Sequence, residues 1–175
     1  YEGTFALTAT DATGAAIEET IHIASAEDED GQYYTIEGIP TMDPLFGMFN
    51  EKSHMMHIPA QNAANITDEE TGVEYEVVIY TMDSDGYTST KDLILAYNGD
   101  GTISIDESSE VIGLVAVAFN TADENDYFFV NNGCLSMSLT GIDTPDGIAP
   151  KLAKQHKALD IKKMTPRKKI AIASK

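Results

Sequence analysis

The stretch from Asn98 to Glu107 imitates a cation-binding loop. If Gly101 is taken as the invariant glycine of a calcium loop, Asn98, Asp100 and Glu107 fall at its ligand positions 3, 5 and 12. Position 1 then falls on Ala96, whose side chain has no oxygen to offer. The flanking runs, Leu93–Tyr97 and Val111–Phe119, favour strands where such a site needs helices. Asn98-Gly99-Asp100-Gly101 also suits a tight hairpin, because glycine accepts positive φ. The expectation is a turn between strands.

The remaining reactive side chains form no constellation either. His54 and His57 resemble a metal pair, but an odd separation along a strand sends their side chains to opposite faces. His22 and His156 stand alone. Cys134, the single cysteine, has no histidine beside it and reads as a small buried apolar residue. No Gly-x-Ser-x-Gly elbow and no phosphate-cradling glycine loop occurs. Acidic neighbours such as Glu18–Glu19 and Glu69–Glu70 follow from a content of 29 acidic residues. The sequence therefore points away from an enzyme, with no catalytic residue, metal ligand or cofactor assigned. The soft and aromatic residues Tyr34, Met48, Met56, Tyr75, Tyr97 and Phe129 are the candidate ligand-binding set, since all fall on strand-like segments.

The elements that must position them are strands. Phe5 and Leu7 share one face of the first. Ile17, Ile21 and Ile23 share a face of the second, with Glu18, Thr20 and His22 on the other. Tyr34 and Ile36 point inward from the third. Leu45–Asn50 and His54–Ile58 form a hairpin, closed by Pro59. Val73–Met82 alternates, and Leu135, Met137 and Leu139 mark the last strand. Val111–Phe119 is apolar on both faces and so must be covered on both. Ala60–Thr71 has no pattern and reads as a surface loop. About ten strands with turns every eight to twelve residues and no helix between them predict an all-β antiparallel meander, closed into a barrel or folded into a sandwich, of which an up-and-down barrel needs the fewest assumptions.

Charge divides the chain. Up to residue 150, Lys52 and Lys91 stand against 28 acidic residues; the last 25 residues hold the other nine basic residues and only Asp160. Residues 1–146 read as the barrel domain and 147–175 as a basic tail. In the tail Pro150 starts a candidate helix with Leu152, Ala153, His156 and Leu159 on one stripe. So acidic a body argues against nucleic acid and anionic lipid as partners. No apolar run approaches the roughly 20 residues of a membrane-spanning helix. The start at Tyr1 rather than Met fits a processed N-terminus.

Gly3-Thr4-Phe5, Tyr33-Tyr34-Thr35-Ile36-Glu37-Gly38-Ile39 and His57-Ile58-Pro59-Ala60-Gln61 together resemble the lipocalin-like (calycin-like) domains of secreted proteins and lipoproteins of gut Bacteroidota. Phe5 stands where true lipocalins carry tryptophan. The resemblance covers roughly residues 1–142 and implies an exported barrel, secreted or tethered to the outer membrane by a lipid upstream of Tyr1, with no catalytic residues. Two functions fit it. One is a barrel whose open end admits a small apolar or amphipathic ligand, with an interior cavity of several hundred Å3 as its expected mark. The other is a surface module that contacts a glycan or protein partner through loops such as Ala60–Thr71 and Thr121–Asp126. Neither implies an oligomeric state.

Overall fold

A computed structural model of the chain describes residues 1–142. The basic tail, with its candidate helix, and the end of the expected 1–146 domain lie outside the described residues. Thirteen strands follow one another with no helix among the described residues. They are β1 (Gly3–Thr10), β2 (Ala16–Asp28), β3 (Gly31–Glu37), β4 (Leu45–Asn50), β5 (Met55–Ile58), β6 (Gln61–Thr67), β7 (Glu74–Met82), β8 (Thr88–Ser89), β9 (Leu93–Tyr97), β10 (Thr102–Ile105), β11 (Gly113–Asn120), β12 (Tyr127–Phe129) and β13 (Cys134–Gly141). The expected surface loop over residues 60–71 is corrected: Gln61–Thr67 is a strand, paired along β7 with a bulge between Asn62 and Ala64. Its polar sequence hid it, because most of β6 faces solvent.

Eight antiparallel strands close a barrel in the order β1-β2-β3-β4-β5-β9-β10-β13, with β13 returning to β1. Up to β5 the chain is the expected meander. Beyond it, β6, β7, β8, β11 and β12 leave the ring and form a flap. The flap branches from β13, whose Ser138–Thr140 pair with β10 while Cys134 and Leu135 pair with β11. Gly113 makes that branch possible. A Cβ at this position would sit 2.3 Å from Cys134 O, a backbone atom that cannot move aside.

Alternation along the ring sends one set of side chains inward. Phe5, Leu7, Ile21, Ile23, Tyr34, Ile36, Met56, Ile58, Leu93, Leu95, Ile103 and Leu139 are all at most 5% exposed and pack in one cluster. The flap adds Val77, Ile79, Leu114, Ala116 and Ala118 to that cluster. Its opposite face carries a second cluster, with Val78, Tyr80, Met82, Val115, Val117 and Phe119 packed together and Phe129 and Leu135 against them. This accounts for β11 being apolar on both sides: from Gly113 to Phe119 every residue is buried.

Gln61 ties the free edge of the flap back to the barrel. On β4, Met48–Asn50 pair with β5, but the N–H and C=O of Phe46 point past the end of that strand. The Gln61 amide takes both. Its Oε1 accepts from Phe46 N at 2.9 Å, and its Nε2 donates to Phe46 O at 2.9 Å and to Pro59 O at 3.0 Å. Gln61 is 4% exposed, so no water replaces it readily. Gln61→Ala would strand a buried donor and a buried acceptor on Phe46. It is expected to cost about 2–4 kcal/mol in chemical denaturation, and Gln61→Glu, whose carboxylate keeps the acceptor but turns a charged oxygen toward Phe46 O and Pro59 O, is expected to cost at least as much at neutral pH.

Candidate functional site

The two ends of the barrel are built differently. At one end Tyr1 lies over the interior, its ring 5.7 Å from Tyr34 and 6.4 Å from both Phe49 and Tyr97. Its hydroxyl lies 3.0 Å from Leu95 O and 3.1 Å from His54 O, donating to one of them at a time, and accepts from Tyr97 N at 3.2 Å. Burial pushes the Tyr1 and Tyr34 phenols above their ordinary value, so both stay neutral. The Asn98–Gly101 turn follows on this side as the β9–β10 hairpin. The Asp100 carboxylate there accepts from Thr102 N and Oγ1, which hold its pKa below the usual aspartate value.

At the other end the β3–β4 loop folds over the opening. Gly38 adopts φ +102, and a Cβ there would meet Thr20 O at 2.3 Å, so only glycine lets the chain turn in beside β2. Gly38 N donates to Asp43 Oδ1 at 2.8 Å, and Met42 N to Ile39 O at 3.1 Å. These bonds set Ile39 and Met42, 0% and 1% exposed, across the opening as a plug.

Two further turns complete this mouth. Asp11 Oδ1 accepts from Thr13 N, Thr13 Oγ1 and Ala15 N at 2.6–2.9 Å, and the Thr13 hydroxyl bond foremost lowers its pKa. Asn131 links the loops. It donates to Thr41 Oγ1 at 2.7 Å and accepts from Gly133 N at 2.9 Å and Ala116 N at 3.2 Å. Ala12 N donates to Asn132 O at 2.9 Å. Between these loops and the projecting β1–β2 hairpin lies an open groove of about 680 Å3. Ile17, Ile39, Met42 and Cys134 supply its apolar lining, and Asp11, Glu18, Glu19, Asn131 and Asn132 its polar one.

The six residues expected to bind a ligand are not brought together. Tyr34 and Met56 sit in the interior, and the Met56 side chain occupies the space that a Cβ on Gly47 would need. Tyr97 is 51% exposed at the Tyr1 end, and Met48, 44% exposed, points away from the barrel. Tyr75 packs against the interior cluster from the flap, and Phe129 against the cluster on the flap's other face. In the interior, Tyr34 and Met56 are buried among the other inward side chains of the ring. The groove residues went unnoticed because they come from three distant turns. One signal was available: Glu19 shares the inward period of Ile17, Ile21 and Ile23.

The three histidines among the described residues do not converge. His57 Nδ1 lies 3.2 Å from Asp92 Oδ2, His22 Nδ1 lies 3.0 Å from Thr4 Oγ1, and His54 sits in the β4–β5 turn at φ 57°. Among the described residues no group of three histidine, cysteine or acidic side chains could hold a metal ion. Comparison of the chain with protein-family models, curated proteins and solved structures finds no match.

Cys134, 2% exposed, has its thiol pushed up to about 11 by burial. A thiol reagent at pH 8 is therefore expected to label it roughly a hundredfold more slowly in the native protein than in urea, in line with the smaller thiolate population. Equal rates would mean that the groove wall at Cys134 stands open.

Proposed function

We propose that this protein is a non-enzymatic, lipocalin-like barrel that holds a small amphipathic ligand at one mouth, in the groove between the β1–β2 hairpin, the β3–β4 loop and the β12–β13 turn. The supporting observation is the groove itself. Its volume lies within the usual range of ligand sites, it is concave, and it joins an apolar lining to a few polar groups. Hydrogen bonds from Asn131 and Ala12 hold its three walls together, so binding need not first order them. A barrel closed on itself leaves loops free to vary at its ends, and the buried side chains of its interior favour a site there. The motif resemblance at Gly3-Thr4-Phe5 and Ile58-Pro59-Ala60-Gln61 supports a place outside the cytoplasm, as a secreted protein or one anchored by a lipid.

Ala16 is exposed and borders the groove. Ala16→Trp is expected to abolish the fluorescence enhancement of a neutral apolar dye, N-phenyl-1-naphthylamine, with thermal unfolding unchanged. Undiminished enhancement in a stable variant would place the dye elsewhere and remove the groove from consideration. Native mass spectrometry of the purified protein is expected to show a bound small molecule in the wild type and none in the variant.

A second reading, a surface module for a glycan or protein partner, draws on the flap. Tyr127 and Phe128 are 40% and 45% exposed next to the Thr121–Asp126 loop, with Phe128 edge-on to Tyr75 at 5.2 Å and Tyr127 tilted against Phe119 at 5.8 Å. As neighbours on β12 they leave opposite faces, and Phe128 backed by Tyr75 is the aromatic surface such a partner would meet. If this surface binds, Phe128→Ser should remove retention on an immobilised polysaccharide and leave dye binding intact. Equal retention by wild type and variant would end the glycan version.

A further inference from the structure

We propose that the groove selects a cationic amphiphile, an organic ammonium on a hydrocarbon body, and that Glu19 is the residue that makes the selection. This rests on the groove being the ligand site and goes further by naming the ligand's charge.

The inner face of β2 reads Ile17, Glu19, Ile21, Ile23, and Ile21 and Ile23 are fully buried. The β1 partners in this register are Ala9, Leu7, Phe5 and Gly3, all on the inward side. Glu19, opposite Leu7, is thus a carboxylate in a stripe that is otherwise apolar. Outward-facing acids are expected in so acidic a chain; an inward one is not, since it interrupts the face that drives the strand's burial. It escapes burial only because β3 ends at Glu37 and β2 runs on past it, with Glu19 at the groove.

Two of the groove's other polar groups are already engaged. Asp11 is committed to the turn at Thr13 and Ala15, and Asn131 to Thr41, Gly133 and Ala116. Glu19 makes no hydrogen bond or ion pair among the described residues. Among the described residues no basic one lines the groove. Lys91 pairs with Glu110, and Lys52 lies in the β4–β5 turn. Asp11, Glu18 and Glu19 give the groove a negative potential, which low-dielectric walls concentrate. An ammonium beside Glu19 would lay its alkyl chain on Ala16, Ile17 and Pro40, the apolar lining residues that keep surface exposed. An anionic amphiphile of equal length would meet three carboxylates instead.

The test compares n-decylammonium, 1-decanol and decanoate below their aggregation concentrations, measured by displacement of the neutral dye from the full-length protein. The expected order is ammonium tightest and carboxylate weakest. Glu19→Gln should weaken decylammonium about fivefold and leave decanol unchanged, the scale of one solvent-accessible ion pair. Glu19→Asp should retain most of the preference, and 0.5 M salt should erode it in the wild type. Glu18→Gln removes the same charge from a neighbouring position and should have a smaller effect. If decanol or decanoate binds as tightly as the ammonium, or Glu18→Gln acts as strongly as Glu19→Gln, the role of Glu19 falls while the groove reading stands. If no probe binds the wild type, or Ala16→Trp leaves binding intact, the groove reading falls and takes this inference with it.

Discussion

The architecture depends on satisfying backbone hydrogen bonds where two layers of strand part company. Strands β4 and β13 each serve the barrel along half their length and face the flap along the other half. On the β13 side β11 supplies backbone partners directly, at a closeness that only Gly113 permits. On the β4 side β3 pairs one edge at Phe46, β5 stops short of the other, and a side-chain amide substitutes for a strand there. Gln61 presents an acceptor and a donor in the geometry of a peptide group, so the barrel wall continues through it. Replacing it by an apolar group would leave two buried polar atoms without partners, which is why so small a group carries so much of the assembly.

That branching also governs where binding can occur. A ring of eight strands has room for its own side chains or for one small ligand. Here large residues project inward along the ring, and the flap adds a further layer to the same cluster. With one end covered by Tyr1 and its aromatic neighbours, concave space remains at the other end. There the β1–β2 hairpin outruns β3 and the Ile39–Met42 plug stops short of the rim. The groove is thus a consequence of unequal strand lengths, and its charge comes from the acidic turns that those lengths leave exposed.

Much of this could be read along the chain. Period two marked β1, β2, β3, β7 and β13, and the absence of alternation in β11 correctly demanded cover on both sides. The Asn98–Gly101 hairpin followed from its glycines alone. Reading failed where local composition and tertiary role diverge. β6 is polar and faces solvent, so nothing in its own residues announces a strand; its pairing comes from β7. Met56 and Tyr34 look alike as cavity lining or as core, and only their neighbours distinguish the two, as Gly47 does for Met56.

The sequence by itself determined that the chain is all strand, which face of most strands turns inward, and that Glu19 breaks the apolar stripe of its strand. These properties depend on alternation between neighbouring residues, and a strand expresses them wherever it is placed. Only the tertiary structure decided that the wall divides in two, that Gln61 completes it, that the flap packs onto the same core as the ring, and that the turns at Asp11, Ile39 and Asn131 meet around one groove. Such features require residues far apart in the chain to arrive at the same point. Their positions depend on strand lengths and branch points, which no local pattern records.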